Sequence, residues 1–177
     1  MAKLKEASLK YSRQQLFPPI GIDGQERLRR SQVMIVGCGA LGTAQANALV
    51  RAGIGRLRIV DRDFVEESNL QRQILFDECD AKENLPKAIA AERKLKAING
   101  EVEVEGIVAD FDHQNGEGLA KGFGVILDGT DNFESRFLLN EISIRADIPW
   151  IYGGAVASSG STMTIVPGRT ACLSCLF

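Results

Sequence analysis

Gly37, Gly39 and Gly42 stand in the order G-x-G-x-x-G, directly after the apolar run Val33-Met34-Ile35-Val36 and at the head of an amphipathic stretch. In that context the three glycines suit a nucleotide. The first permits a tight turn, the second lets a phosphate approach the backbone, and the third lets helix and strand pack closely. The helix that follows presents N–H groups and a partial positive charge to the anion. Asp61, nineteen positions after Gly42, ends the second apolar run, where a carboxylate can accept from ribose hydroxyls. This pattern points to a nucleotide and leaves NAD, FAD and ATP open.

The segment from Asp61 to Gln73 gathers more polar groups than a dinucleotide requires. Arg72 can fork onto phosphate oxygens, Asn69 and Gln73 can donate amide hydrogens, and Lys87, just after Pro86, adds a point charge at a helix start. A triphosphate also needs magnesium, and Asp131 lies just past the carboxyl end of a strand, within reach of such an ion. Taken singly, Arg72 and Lys87 read as solvated charges. Their joint placement after successive strands reads as an anion site.

The elements that must carry these residues alternate as β and α. Val33–Val36 is a short strand suited to a sheet covered on both faces, followed by a helix to about Arg51 that Gly53 and Gly55 stop. Leu57–Val60, Val102–Val104 and Val125–Leu127 read as strands, with a helix from Pro86 to about Ile98 and another from Phe133 to about Ala146. Pro149 restarts the chain as a strand, and Ser161–Val166 alternates polar and apolar residues, the pattern of an antiparallel edge. The fold class expected is α/β, a doubly wound, Rossmann-like, mainly parallel sheet with an antiparallel edge added at the C-terminal end. Residues 1–177 read as one domain: an N-terminal helical segment over 1–30, a core over 31–152, and the start of a mixed-sheet part over 153–177. The end at Leu176-Phe177, with neither polar tail nor helix stop, is the pattern of a piece of a longer chain.

Composition narrows the function classes. Lys and Arg number 21 against 23 Asp and Glu in 177 residues, so no broad basic face is expected for nucleic acid or anionic lipid. Met1 to Lys10 lacks the apolar core of a targeting segment, and no stretch has the length of a membrane span. Four unevenly placed cysteines argue for reduced thiols and a cytoplasmic protein. Cys38 in the glycine turn and Cys79 in an acidic loop read as incidental, and the single histidine, His113, reads as a solvated loop residue.

Tyr11-Ser12-Arg13-Gln14, Gly37 to Gly42, Ser68-Asn69-Leu70-Gln71-Arg72-Gln73, Pro86-Lys87 and Asp128-Gly129-Thr130-Asp131-Asn132 occur in this order along the chain. The series resembles the bacterial ThiF/MoeB/HesA adenylyltransferases, relatives of the ubiquitin-activating enzymes, from Tyr11 to Cys175. The resemblance implies ATP-dependent adenylation of the C-terminal glycine of a small ubiquitin-like sulfur-carrier protein, of the kind used in thiamin or molybdopterin synthesis, with release of pyrophosphate. It further implies that Ala40 and the neighbouring glycines line the phosphate loop, that Asp61 holds the ribose, and that Asn69, Arg72 and Lys87 bind phosphates. Asp63, Ser68, Leu70, Gln71 and Gln73 fall within the same nucleotide-binding stretches. Asp131 would hold magnesium (Mg2+), with Asn132 beside it. Arg13 would reach into the nucleotide site of a partner subunit, which implies a homodimer.

The chemistry implied needs no side-chain base, because an ordinary carboxylate is already ionised at pH 7; it needs charge neutralisation and in-line positioning. The chain departs from the family pattern at Ala40, where a glycine is common, and over Asp77 to Leu85, which is longer than usual and so puts the position of Lys87 in question. Cys172-x-x-Cys175 has the spacing of half a structural zinc site. The resemblance places the other half farther along, so zinc (Zn2+) is expected only in a longer form, and the residues from about Arg169 are expected to be loosely ordered. Two other readings stay open on residues alone: an NAD-dependent oxidoreductase, and a nucleotide-binding module without turnover.

Overall fold

The computed structural model describes residues 9–177. The reading of the first ten residues as free of an apolar targeting core falls almost wholly outside them. A 3-10 turn over Leu9–Tyr11 leads into α1 (Ser12–Gln15) and α2 (Gly21–Arg30), the expected helical entry. There follow β1 (Gln32–Val36), α3 (Ala40–Ala52), β2 (Arg56–Val60), α4 (Glu78–Lys82), α5 (Lys87–Ile98) and β3 (Glu103–Ile107). The chain continues through α6 (Gly116–Ala120), β4 (Val125–Asp128), α7 (Phe133–Ala146), β5 (Trp150–Val156) and β6 (Ser159–Ile165).

The six strands form one sheet in the order β3-β2-β1-β4-β5-β6, parallel through β5 and antiparallel at β6. This is the doubly wound arrangement expected. β1 is central and from Val33 to Val36 its side chains are buried on both faces, which is why that run is uniformly apolar. One face of the sheet builds a core with α3 and α5 around Ile35, Val50, Ile59 and Leu95; the other builds a second core with α6 and α7 around Met34, Ile126, Leu139 and Trp150.

Local expectations fail where charge disguised a short element. The acidic loop holding Cys79 is α4: Asp77 accepts from the Cys79 and Asp80 backbone N–H groups, and the Asp80 side chain accepts back from Asp77 N–H, a reciprocal N-terminal cap. The polar stretch after His113 likewise runs into α6, although His113 itself is exposed as expected. The third strand lies at Glu103–Ile107 rather than 102–104, because its register against β2 pairs Leu57 with Val104 and carries pairing on through Gly106 to Ile107. Gly106 is tolerated mid-strand because α5 approaches closely there: an added Cβ would lie 2.3 Å from the Ala88 carbonyl oxygen.

Candidate active site

The chemistry-bearing segments leave the sheet at the carboxyl ends of β1, β2 and β4, around the β1/β4 boundary where the strand order reverses. Helices on opposite faces diverge at such a point and leave a crevice. Gly37 turns the chain out of β1 with φ of 93°, a left-handed conformation suited to glycine. A Cβ on Gly42 would lie 2.0 Å from the Gly37 carbonyl oxygen, so α3 starts hard against the loop. At Gly39 an added Cβ meets nothing nearer than 4.0 Å. No side chain caps α3 at Gly39, which leaves the first-turn N–H groups beside exposed Ala40 to be satisfied from outside the helix.

Asp61 sits at the exit of β2. Its Oδ2 accepts the Cys38 N–H at 2.5 Å and its Oδ1 accepts the Asp63 N–H at 2.7 Å. The carboxylate therefore ties the glycine loop to the end of β2, with a second lone pair on each oxygen still able to accept a hydroxyl. Burial raises its pKa, and the two backbone N–H groups oppose that rise. Cys38 is buried, and desolvation, with Asp61's charge adding to it, pushes the thiol far above its ordinary range. It is inert packing in the loop.

Lys87 opens α5. It is buried, with Nζ 3.0 Å from Asp63 Oδ2 and its N–H donating to the Asp63 carbonyl at 2.8 Å. Asp63, expected among the nucleotide ligands, is thus the counter-ion that holds Lys87. The Lys87 carbonyl lies 4.0 Å from Cys38 Sγ, which sets the start of α5 beside the glycine loop. Within the stretch from Asp77 to Leu85 the chain forms α4, and an antiparallel bridge between Phe64 and Pro86 fixes the entry to α5 and so the position of Lys87.

The S-N-L-Q-R-Q segment is a compact turn. The Asn69 carbonyl accepts from the Arg72 and Gln73 N–H groups. Ser68 and Leu70 serve the turn itself: Ser68 Oγ accepts from Asn69 Nδ2 and its carbonyl from Arg72 Nη1, while Leu70 packs on the α3/α5 core. Gln71 and Arg72 are exposed. Asn69 and Gln73 are buried, yet Asn69 Oδ1 and Gln73 Oε1 have no hydrogen-bond partner. Orphaned acceptors of this kind are costly and fit a ligand that brings donors, as a nucleoside does.

Asp131 is exposed at the head of α7, its Oδ1 3.3 Å from Asn132 Nδ2. Asn132 caps α7, its Oδ1 accepting the Ser135 N–H at 2.8 Å, so its oxygen serves the helix and its amide braces Asp131. One free carboxylate beside an anion site fits magnesium, which keeps several waters and binds through one or two carboxylates and phosphate.

Sequence reading missed the pair beneath Asp131. Asp128 is fully buried and Arg136 nearly so, with Arg136 Nε 3.1 Å from Asp128 Oδ2. An arginine on the inward face of a helix eight residues after a strand-end aspartate was the available signal. Gln45 of α3, also unremarked, donates to the Asp128 carbonyl at 3.0 Å.

Arg13 lies at the opposite end of α3. Its neighbour Gln14 donates to the Ala52 carbonyl at 3.0 Å, beside Gln25, which does the same. The 13-residue helix between that point and the glycine loop is about 20 Å long, well beyond the reach of one arginine. Arg13 is exposed and is not brought to its own chain's crevice.

Cys172 and Cys175 face each other with Sγ atoms 3.6 Å apart, and among the described residues no group of three or more metal-ligating side chains forms. The expectation of a loose terminus is overturned. Leu173 is fully buried in the α6/α7 core and its N–H donates to Asn140 Oδ1 of α7 at 2.9 Å. One apolar side chain and one buried amide suffice to dock the turn.

The sequence and the fold are shared with known proteins. The chain is 51% identical over 167 residues to the sulfur carrier protein ThiS adenylyltransferase of Bacillus subtilis, covering 94% of this chain and 50% of that protein. It is 39% identical over 155 residues to the molybdopterin-synthase adenylyltransferase of Haemophilus influenzae, covering 88% of this chain and 63% of that one. Among solved structures, Escherichia coli MccB with ATP superposes with a TM-score of 0.84 at 28% identity, over 96% of this chain and 52% of MccB. The chain thus spans about half to two thirds of the length of these relatives. The ThiF family model matches residues 11–177, which include every residue that builds the crevice, and the chain belongs to the ThiF family.

Proposed function

We propose that this chain is the nucleotide-binding part of an enzyme that uses ATP to adenylate the C-terminal glycine carboxylate of a small ubiquitin-like sulfur-carrier protein, releasing pyrophosphate. The observation that carries the reading is a buried lysine held beside an open glycine loop, with the buried, unpartnered side-chain oxygens of Asn69 and Gln73 on the segment that follows β2. The kinship with adenylyltransferases of the ThiS and molybdopterin-synthase type supports the same chemistry. An oxidoreductase would have no use for the cations and carboxylate gathered beyond the glycine loop.

In this reading the α3 N-terminus and the glycine loop seat phosphates through N–H groups, and Asp61 accepts from ribose hydroxyls with its remaining lone pairs. Lys87 and Arg72 neutralise the charge that grows on the leaving pyrophosphate, a stabilisation that requires no proton transfer. The attacking carboxylate of the carrier is already ionised, so exposed His113 has no part. Asp131 would hold Mg2+, which supplies further charge neutralisation on phosphate oxygens.

Arg13, too far from its own loop, would complete the site of a second copy in a homodimer. Cys172 and Cys175 would contribute two thiolates to a Zn2+ site closed by residues of a longer form. No helix among the described residues is long and apolar enough to cross a membrane, and the four free cysteines suit the cytoplasm.

ATP–pyrophosphate exchange decides the reading. Exchange should depend on adding a carrier protein with a C-terminal glycine and should vanish when that glycine is removed. Exchange with no carrier, or none with any carrier of a panel tested on this chain and on a longer form, would defeat it.

A further inference from the structure

β4 and β5 stop pairing one residue before the site begins. Their register runs only through Ile126↔Trp150 and Leu127↔Ile151. Beyond it the backbone of Gly153 on β5 still needs partners on the β4 side, and two side chains supply them. Asp128 Oδ2 accepts the Gly153 N–H at 3.2 Å, and Arg136 Nη2 donates to the Gly153 carbonyl at 3.2 Å. The buried ion pair thus substitutes for the missing stretch of strand.

The same two side chains hold Thr130, the residue before Asp131. Asp128 Oδ1 accepts both the Thr130 N–H at 2.9 Å and the Thr130 Oγ1 hydroxyl at 2.7 Å, and Arg136 Nη2 donates to the Thr130 carbonyl at 2.9 Å. Every polar group of Thr130 is engaged. The guanidinium lies 5.3 Å from the centre of the Phe133 ring and 5.2 Å from that of Tyr152, which fixes its plane. On the other side Gly129 is pressed against the glycine loop, where an added Cβ would lie 2.4 Å from the Gly37 carbonyl oxygen. The backbone leading to Asp131 is therefore held between the phosphate loop and β5.

We infer that Arg136 is a positioning residue for the site: through Asp128 and Thr130 it fixes the backbone from which the Asp131 carboxylate projects, and so sets how strongly a nucleotide-bound divalent cation is held. The inference rests on the proposed role of Asp131. A lysine at position 136 keeps the charge against Asp128 but lacks the planar fork that spans Thr130 and Gly153.

The test measures ATP affinity by calorimetry with magnesium and with excess EDTA, in the wild-type chain and in Arg136→Lys, Asp131→Asn and the double variant. The ratio of the two dissociation constants reports the magnesium contribution. Asp131→Asn should abolish it, Arg136→Lys should cut it by roughly threefold or more while the thermal midpoint stays sharp, and the double variant should match Asp131→Asn alone. Amide hydrogen exchange at Thr130, a readout that needs no ligand, should accelerate by about tenfold or more in Arg136→Lys. Thr130→Val, which leaves the ion pair intact and removes only the Oγ1 bond, should shift the ratio in the same direction by less, and serves if Arg136→Lys does not fold. An unchanged ratio and unchanged Thr130 exchange in a folded Arg136→Lys, or an unchanged ratio in Thr130→Val should the lysine variant not fold, would overturn the inference and leave ATP binding standing. A wild-type chain that binds ATP equally with and without magnesium would overturn the role of Asp131 and the positioning role with it.

Discussion

Gly37 and Gly129 exclude each other's side chains: a Cβ on Gly37 would lie 2.5 Å from the Gly129 carbonyl oxygen, and a Cβ on Gly129 would lie 2.4 Å from that of Gly37. This reciprocal contact brings the exits of β1 and β4 together and sets the width of the crevice. Gly39, between Gly37 and Gly42 in the same loop, could carry a Cβ that meets only the Gly129 carbonyl oxygen, at 4.0 Å, an ordinary contact.

Alanine at these positions should therefore separate folding from binding. Gly129→Ala forces backbone against backbone and should lower stability by about 1–3 kcal/mol, the usual range for overpacking. Gly39→Ala should leave the thermal midpoint unchanged and weaken ATP binding, because the new methyl enters the space the phosphate would approach. Differential scanning calorimetry with parallel ATP titration checks both; equal destabilisation by the two changes would contradict the assignment of that space to a ligand.

Arg72 is exposed and makes one hydrogen bond, to the Ser68 carbonyl, while Asp131 is exposed and braced only by Asn132. Neither holds the fold, so Arg72→Ala and Asp131→Ala should each keep the wild-type melting curve. Loss of a group that stabilises developing charge typically costs about 3–4 kcal/mol, a few hundredfold in the rate of pyrophosphate exchange. A fall in activity matched by a fall in melting temperature would make both residues structural.

The span of α3 between Arg13 and the glycine loop turns the homodimer into a complementation experiment. Arg13→Ala and Asp131→Ala chains should each be inactive, and an equal mixture after subunit exchange should recover about a quarter of wild-type activity, since half the dimers are hybrids with one intact site each. Proven exchange without recovery would remove Arg13 from a shared site.

The terminal turn offers a stability measurement. Leu173 is fully buried, so Leu173→Ala should destabilise the chain by about 2–5 kcal/mol, read from urea denaturation. EDTA should leave the midpoint of this 177-residue chain unchanged, because two thiolates hold zinc too weakly to contribute. A change to alanine that alters nothing would mean that the turn is not docked in solution.

Burial of Asp61 has a pH consequence of fixed sign. Its carboxyl has a raised pKa in the folded chain, so between the unfolded value and the folded one the native state binds the extra proton. Asp61 therefore makes stability fall as pH rises through that window, opposite to a salt-bridged carboxylate. Asp61→Asn should remove this component from the pH dependence of unfolding, which urea titrations across acidic pH would show. An identical pH profile for the variant would place Asp61 in solvent.

The strands, the longer helices and the phosphate turn were legible in the sequence, because each is written in residues close together in the chain, and their alternation pointed to a doubly wound sheet. Apolar runs of strand length, the helical stretches between them, and glycines where a side chain would strike backbone are local constraints. Short helices under charged residues escaped, since α4 and α6 are held by caps and packing and carry too few turns to show a period. Partnership between side chains came from the packing of the elements. Lys87 with Asp63 and Arg136 with Asp128 and Gly153 join residues from different elements, and Leu173 with Asn140 joins the terminal turn to a helix 33 positions earlier. A buried charge or amide must find its partner wherever the packed layers bring one within hydrogen-bond distance. That distance is fixed by the crossing of strands and helices, and the order of residues along the chain does not encode it.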